Sequence, residues 1–197
     1  MASLPMFPLG SVLVPGAILP LHVFEPRYQA LMADCLDGDG RFGVVLIERG
    51  SEVGGGDQRA EVGTTASIEQ YQQLDDGRFA LIAVGRERFR VREWLEEEPY
   101  PQAGIELWPD PPLDAVDQPL LAEARRAMQR FLPDDEPVPD LASDPSLASH
   151  QLTAIAPVGA YDRYRLLGAA GPADRLRQLI ALLGELPDPP PVDRDDI

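Results

Sequence analysis

Hydrophobic and polar residues form short, strand-length runs through the first part of the chain. Residues 42–47 are continuously apolar, which predicts a buried strand. Between 62 and 69, apolar or threonine side chains alternate with small or polar ones, which predicts a strand with one exposed face. Further strands are predicted over 79–84, 88–94 and 103–108. A series of short strands of this kind indicates a compact β-barrel or a sandwich.

One helix is predicted within this strand-rich part. Pro26 is suited to the first turn of a helix, and Gly38 is suited to end one. The apolar side chains that recur at helical spacing between them are Tyr28, Leu31, Met32, Cys35 and Leu36. Because this spacing places Cys35 on the buried stripe of the helix, we expect a small core residue rather than a reactive thiol.

Two segments that contain glycine predict turns between strands. Residues 75–78, Asp-Asp-Gly-Arg, combine aspartate with a glycine that can adopt a positive φ, which is typical of a tight turn. Residues 54–57, Gly-Gly-Gly-Asp, suggest a phosphate-binding loop, but no lysine follows and no helix is predicted to begin there. We therefore predict a hairpin tip or a loop at 54–57.

The second part of the chain has a helical pattern. Prolines within residues 109–112 prevent a helix or a central strand from continuing past this point. An amphipathic stripe over 120–132 predicts the first helix, and a second is predicted to start at Asp144-Pro145 and to carry Leu147, Leu152 and Ile155. Two more are predicted near 158–167 and over 173–183, with Gly184 just after the last.

These patterns predict four segments. They are a strand-rich subdomain over 1–108, a proline-rich linker over 109–116, a helical subdomain over 117–185 and a disordered acidic tail over 186–197.

The chain is acidic along its whole length. Its 197 residues include 33 acidic and 17 basic side chains, which gives a net charge of −16. Residues 1–109 and residues 110–197 each carry −8. A field of this sign repels nucleic acid and anionic lipid headgroups, so neither nucleic acid nor a membrane is an expected partner.

All of the basic residues are arginine, because the sequence contains no lysine. A phosphate-binding GxxxxGK[ST] loop and a Ser-Lys dyad both require lysine, so neither is present in these residues. A single cysteine, Cys35, and two histidines, His22 and His150, make no spaced zinc motif, so we expect no metal or other cofactor. The lone cysteine also favours a reducing cytoplasm. Prolines and glycines interrupt the apolar stretch from Leu4 to Leu21, which therefore predicts neither a membrane span nor a signal peptide.

A set of segments in residues 1–108 resembles the Lon protease N-terminal domain family, in the order and at roughly the spacing that the family uses. The segments are PMFPLGSVLVPGAILPLHVFEPRYQALMADCL (5–36), FGVVLI (42–47), EVGG (52–55), VGTTA (62–66), DGRF (76–79), GRERFRV (85–91) and EPYPQA (98–103). Residues 109–197 resemble the family's second half in layout only.

The resemblance implies an α+β protein, with an N-terminal PUA-like β-barrel that carries one helix and a C-terminal helical bundle. In Lon protease this domain is similar in role to a substrate gate, ahead of an ATPase and a Ser-Lys protease. The resemblance therefore implies a non-catalytic module that binds unfolded or flexible polypeptides, with a role as an adaptor for a separate protease as a further expectation. Because the sequence lacks lysine and ends soon after the helical part, we expect no enzyme.

A stripe of arginines is the sharpest local feature, because Arg86, Arg88, Arg90 and Arg92 recur at every second residue. If the strand is regular, these side chains share one face. One interpretation is a site for an anionic partner, such as a peptide carboxylate, held by bidentate guanidinium contacts. The other is pairing with the protein's own acids, and a bulge at Gly85 would also turn the first two arginines out of line. The acids close in sequence are Glu93, Glu96, Glu97, Glu98 and Glu106.

A second candidate site lies at the predicted strand-to-helix junction, where His22, Phe24, Arg27 and Tyr28 can converge on a cleft. The alternative interpretation is structural: Phe24 and Tyr28 are core residues, and Arg27 pairs with an acidic neighbour. In that case His22 satisfies a backbone carbonyl. We expect His150 to be a solvated or packing residue.

Two other functions are alternatives to polypeptide binding. A hydrolase would need a nucleophile and a base in contact, such as Ser11 or Ser51 beside His22. Nucleic-acid binding is suggested only by analogy with RNA-binding domains that share the PUA-like barrel, and the acidity of the chain opposes it.

Overall fold

The computed structural model of the chain describes residues 2–50, 58–133 and 136–187. The chain divides into two compact units, one over residues 1–109 and one over residues 110–197. In the described residues, the first unit contains a mixed sheet and a helix, and the second contains helices. The fold is therefore α+β, as the sequence predicts.

The first unit is organised around a six-stranded sheet in its described residues. The strands are β1 (Ala2–Leu9), β2 (Ile18–Val23), β3 (Arg41–Arg49), β4 (Gln58–Gln73), β5 (Phe79–Trp94) and β6 (Gln102–Leu107). Their order is β2-β5-β4-β3-β1-β6, and β6 also pairs with β5. β1 and β3 are parallel, and the other pairs are antiparallel. The pairings from β5 through β4, β3, β1 and β6 return to β5, and β2 is attached to β5 as an edge strand.

β5 is one continuous strand, where the sequence predicts two. Gly85 lies at the junction, and its N–H donates to the carbonyl oxygen of Ala17 at 2.9 Å. A Cβ atom at Gly85 would lie 2.3 Å from the carbonyl oxygen of Val14. The prediction of a break was wrong because this glycine allows the connection between β1 and β2 to approach the strand closely, and the strand continues through it.

β4 departs from the predicted alternation of buried and exposed residues. Residues 63–66 are all buried. The hydroxyl of Thr64 donates to the carbonyl oxygen of Leu13 at 2.7 Å, so the β1–β2 connection covers this face of the strand. A Cβ atom at Gly63 would lie 2.6 Å from the ring of Phe89 on the other side. The sequence pattern missed this double burial because the covering residues come from a distant part of the chain.

The helix α1 (Pro26–Asp37) confirms its prediction. The N–H of Gly38 closes it, and its buried residues are Tyr28, Leu31, Met32 and Cys35. Phe7 of β1 stacks on Tyr28 with the ring centroids 4.4 Å apart, so the helix packs against the core of the sheet. Burial raises the pKa of the Cys35 thiol to about 12, and the side chain is 3% exposed. The interpretation of Cys35 as a core residue is confirmed.

The second unit is helical in its described residues. It contains a short 3₁₀ turn (Ala115–Asp117) and the helices α2 (Pro119–Gln129), α3 (Pro145–Ile155), α4 (Ala160–Leu167) and α5 (Pro172–Glu185). Asp144 caps α3 as the sequence suggests, because its carboxylate accepts from the N–H of Leu147 at 2.8 Å. The fully buried leucines that pack between the helices include Leu152, Leu166, Leu176, Leu179 and Leu183.

Some sequence expectations in this unit differ from the structure or fall outside it. Gly184 lies inside α5 and not after it, because it keeps a helical backbone and the helix continues to Glu185. Ile155 is 39% exposed at the end of α3. The loop predicted at 54–57 and residues 188–197 of the tail predicted over 186–197 lie outside the described residues. Leu186, the first residue of that predicted tail, is partly buried against the helices.

Candidate functional site

An apolar cleft of about 220 Å³ lies between the end of β1, the edge strand β2 and the start of α1. It is lined by Phe7, Pro8, Leu9, Pro20, Leu21, His22, Val23, Phe24, Glu25 and Tyr28. Most of these side chains are apolar or aromatic, as in sites that take an apolar group. The cleft is therefore the first candidate site of the sheet unit.

The strand pairing explains why a cleft forms at this place. Residues 6–9 of β1 pair with β3, whereas residues 2–5 pair with β6. β2 pairs with β5 and has no second neighbour among the described strands. β1 and β2 therefore form two walls that no described hydrogen bond joins, and α1 supplies Tyr28 between them.

Three of the four residues predicted at the strand-to-helix junction line this cleft, with different exposures. Tyr28 is 4% exposed, whereas Phe24 is 55% exposed and His22 is also exposed. The interpretation of Phe24 as a core residue was wrong, because Val23 takes the buried position at the end of β2 and the next side chain turns outward. Phe24 thus offers an aromatic ring to solvent at the rim of the cleft.

Arg27 is held beside the cleft by its own neighbours. Its guanidinium contacts Glu25 at 3.2 Å and Glu97 at 3.0 Å, and it lies over the ring of Tyr28 at 4.5 Å. Glu97 also accepts from Arg59 at 3.0 Å. These contacts orient Arg27 and leave the cleft wall largely uncharged.

The arginine stripe on β5 is divided by an irregularity in the strand. Thr64 is opposite Arg88, and Ala66 is opposite Gly85, so β5 carries an extra residue between them. Arg88 is 2% exposed, whereas Arg86, Arg90 and Arg92 are exposed. The regular strand assumed for the stripe is therefore absent over 86–88, and its members do not share one environment.

Partners for each stripe arginine lie within the sheet unit. Arg86 forms an ion pair with Glu69 of β4, and Arg92 forms one with Glu106 of β6. Arg88 and Arg90 both lie over the indole ring of Trp108, at 4.2 Å and 3.6 Å from its centroid. Neither Glu69 nor Trp108 is among the partners named from the sequence. Strand pairing brings both residues to the stripe.

A buried polar cluster in the helical unit was not predicted. The carboxylate of Asp110 accepts from both terminal nitrogens of Arg175, at 2.8 Å and 3.0 Å, and lies 3.2 Å from Nε2 of His150. The hydroxyl of Ser146 donates to the same carboxylate at 2.5 Å, and Arg175 also donates to Ser149. His150 was expected to be a solvated or a packing residue; because it is 2% exposed, the packing alternative agrees with the structure.

The charge of Asp110 is stabilised by these partners. Burial would raise the pKa of its carboxyl, but hydrogen bonds from His150 and Arg175 outweigh burial and hold the pKa well below its usual range. Asp110 belongs to the segment predicted as a linker, yet its side chain is 3% exposed. A polar residue between prolines carries no sequence signal of such a role.

The cluster contains serine, histidine and aspartate, but its geometry differs from that of a hydrolase. The hydroxyl of Ser146 donates to Asp110, and that of Ser149 donates to the carbonyl oxygen of Ser146 at 2.7 Å. A nucleophilic serine must instead donate to the imidazole and face substrate. Since Ser149 and His150 are also closed to solvent, the arrangement serves packing and charge stabilisation.

The chain matches the family model described as the ATP-dependent protease La (LON) substrate-binding domain, over residues 3–185. It belongs to this family. The match continues through the helical unit, so the Lon relationship extends beyond the residues 1–108 that carry the sequence resemblance.

Solved structures and curated relatives agree with this Lon assignment. The crystal structure of a Lon N-terminal domain protein from Xanthomonas campestris is 29% identical in sequence and has a TM-score of 0.70. The match covers 95% of this chain and 100% of that one. The N-terminal domain of the Mycobacterium avium complex Lon protease, at 17% identity and a TM-score of 0.68, shares the fold; 93% of this chain covers 99% of it. Lon protease 2 of Herpetosiphon aurantiacus is 28% identical over 93% of this chain, which spans 24% of that relative's length.

Membership of the Lon substrate-binding family supports a substrate-recognition module. Within the described residues, no cluster of three or more histidine, cysteine, aspartate or glutamate side chains could hold a metal ion. The described helices include none that is both long and apolar enough to cross a membrane. Of the serines considered as nucleophiles beside His22, Ser51 lies outside the described residues and Ser11 is exposed.

Proposed function

We propose that this Lon-family chain recognises exposed apolar or flexible segments of other polypeptides, and that it does so at the β1–β2 cleft. The observation that carries the proposal is an open apolar cleft with the ring of Phe24 exposed at its rim. Folded proteins bury most of their large apolar side chains, whereas unfolded segments present them to solvent. An apolar cleft therefore favours unfolded over folded partners.

Within this site, the four junction residues have distinct proposed roles. Phe24 contacts the apolar side chain of a client, and Tyr28 forms the base of the cleft against Phe7. Arg27 positions the wall through its contacts with Glu25. His22 lies on the edge strand and faces the client from the side.

The arginine stripe is the second candidate contact in this proposal. Arg86 and Arg92 have acidic partners in the sheet unit, which supports a structural role for them. Arg90 is exposed and stacked on Trp108, so it is the member best placed to meet an anionic group such as a client carboxylate. Arg88 is buried against the ring of Trp108, and its proposed role is to hold that ring in place.

The charge of the sheet unit supports a polypeptide over nucleic acid. Residues 1–109 carry 9 arginines against 17 acidic residues. A phosphate backbone would be repelled by this field, and so would an anionic membrane surface.

We propose a cytoplasmic, non-catalytic module without a cofactor, which delivers clients to a separate protease as an adaptor. The sheet unit is proposed to be a PUA-like β-barrel over 1–108, and the helical unit a bundle over 117–185 that follows the linker at 109–116. The absence of lysine from the sequence and the closed geometry of the Asp110 cluster support the lack of catalysis.

Binding of an unfolded client tests this function. Reduced, alkylated lactalbumin labelled with a fluorophore should raise its anisotropy on titration with the protein, whereas native lactalbumin should not. Phe24→Ala should weaken the complex roughly tenfold, because a ring that the client would cover is lost. Tyr161→Ala, which removes a 72% exposed ring from α4, is the matched control and should change the affinity by less than about twofold.

Equal binding of the native and unfolded forms, or no binding of either, would overturn the proposed function. Equal loss in both variants would remove the cleft as the site.

A further inference from the structure

The outer edge of β2 carries backbone groups that point away from β5. The carbonyl oxygen of Ala17 accepts from Gly85 on β5, so this residue faces β5. Backbone direction alternates along an antiparallel strand, which turns Leu19 and Leu21 toward β5 as well. The groups that face outward are therefore the N–H groups of Ile18 and His22 and the carbonyl groups of Ile18, Pro20 and His22.

Pro20 agrees with this assignment. Proline has no N–H, and within sheets it is confined to positions whose N–H would face away from a neighbouring strand. Among the described residues, no hydrogen bond reaches the outer edge of Ile18–Val23. An open edge of this kind is a template for another extended chain.

The edge lies directly against the cleft. Pro20, Leu21, His22 and Val23 of β2 line the cleft from one side, and Phe7 lines it from β1. A strand added to β2 would enter the gap between the two walls. Alternate side chains of that strand would then face the apolar interior of the cleft.

The charges around this edge select the chemistry of the added chain. Glu25 lines the cleft and is paired with Arg27. Val23 is paired with Phe79, which follows the turn that contains the exposed Asp75 and Asp76. Asp76 is paired with Arg78, and the sheet unit as a whole carries −8. A second copy of the same unit would bring another −8 and is disfavoured, whereas a basic segment is attracted.

We propose that the client binds as an added β-strand on the outer edge of β2, and that the preferred segment is extended, basic at its ends and apolar on one face. This inference rests on the proposed function and specifies its mode: main-chain hydrogen bonds to Ile18, Pro20 and His22 supply affinity, and the cleft accepts alternate side chains. Client selection then depends on the charge of the segment and on the spacing of its apolar residues, and depends little on which apolar residues they are.

Amide hydrogen exchange tests the mode directly. The probe is a peptide of about eight residues, the length of an ordinary strand, in which valine and threonine alternate between terminal arginines. At saturation, exchange at the amides of Ile18 and His22 should slow by at least about tenfold, since both become hydrogen-bonded. The amides of Leu19 and Leu21 already face β5 and are the internal controls.

Two matched variants separate the main chain from the side chain. His22→Ala keeps the outward N–H and removes only the side chain, so it measures what the imidazole contributes and is the reference against which His22→Pro is compared. His22→Pro removes that N–H and leaves an acceptor on the client unpaired, so binding should weaken about tenfold. A peptide with terminal glutamates in place of the arginines should bind more weakly at low salt, and the difference should shrink as salt is added.

The outcomes distinguish the mode from the function. If unfolded lactalbumin binds but the amides of Ile18 and His22 keep their free exchange rates, strand addition is overturned and the cleft remains a side-chain site. If His22→Pro and His22→Ala bind the peptide equally, the same conclusion follows. Protection that grows with protein concentration without peptide would identify a second copy as the occupant and overturn the basic client. If His22→Pro fails to fold, exchange in the wild-type protein decides alone.

Discussion

The Asp110 cluster of the helical unit and the β1–β2 cleft of the sheet unit are built in opposite ways. The cluster is charged and closed to solvent, and its carboxylate is bonded to Arg175 and Ser146. The cleft is apolar and open, and its edge strand has an unbonded side among the described residues. A buried, hydrogen-bonded ion pair stabilises one arrangement of helices, whereas an open edge contributes little to folding and is available to pair with another strand. On the proposed function, the two regions therefore separate stability from recognition.

Removal of Arg175 should give the largest change, and it should fall on stability. Arg175→Met leaves the carboxylate of Asp110 buried without its bidentate partner, which costs about 3–5 kcal/mol of unfolding free energy. Urea denaturation followed by circular dichroism measures this loss. Arg177→Met is the control: Arg177 is 57% exposed in its pair with Asp117, so the change should stay below about 1 kcal/mol. Similar losses in both variants would contradict the prediction that the buried Asp110–Arg175 pair contributes more to stability than an exposed pair.

Acid should weaken the cluster and leave the cleft unaffected by this mechanism. The pKa of Asp110 is lowered in the folded state from about 3.9 in an unfolded chain, so the folded state binds fewer protons. The stabilisation is fully present above about pH 5 and is lost progressively as the pH falls through 4 and below. Asp110→Asn removes this group, so its melting temperature should fall less than that of wild type between about pH 6 and pH 3. An equal fall in both proteins would show that Asp110 contributes no such linkage.

Phe24→Ala at the cleft should weaken client binding and leave stability almost unchanged, in contrast to Arg175→Met in the Asp110 cluster. Because the ring is 55% exposed, its removal should alter the unfolding free energy by less than about 0.5 kcal/mol. Thermal melts of the variant used for client binding measure this. A loss of several kcal/mol would mean that Phe24 supports the fold and that its effect on binding is indirect.

The stripe on β5 should also give small changes in stability. Arg90→Glu removes an exposed guanidinium that lies over Trp108, which costs about 0.5–1 kcal/mol. Arg86→Gln breaks an exposed ion pair with Glu69 and should cost less than about 1 kcal/mol. Intrinsic tryptophan fluorescence should change in the first variant and stay constant in the second. Unchanged client affinity in both would make the stripe structural, and a loss confined to Arg90→Glu would place an anionic contact there.

Local elements were predictable to the extent that their causes are local. The helix over α1 follows from Pro26, Gly38 and the apolar spacing between them, and the turn at 75–78 follows from its aspartates and from Gly77, whose φ is 84°. The junction residues were also brought together as expected, because a strand end and the next helix are adjacent in any fold. The error at Phe24 arose because aromatic character alone does not show whether a side chain at a strand end turns inward.

The stripe and the cluster show where sequence reasoning fails. A period of two made four arginines conspicuous, yet an extra residue in β5 and burial by Trp108 gave them different environments. Asp110 and Arg175 had no pattern at all, because they are 65 residues apart. A polar side chain between prolines is read as solvated unless its partner is known.

The amino-acid sequence determined the acidity of the chain, the lack of lysine chemistry, the boundary near Pro109 and most helices and strands, since these depend on composition and on neighbours within a few positions. Only the tertiary structure decided that β2 is an edge, that a cleft opens beside it, and that Asp110 is buried against Arg175. Edges, clefts and buried ion pairs depend on contacts between segments that are far apart in the sequence, and tertiary packing determines which segments are in contact.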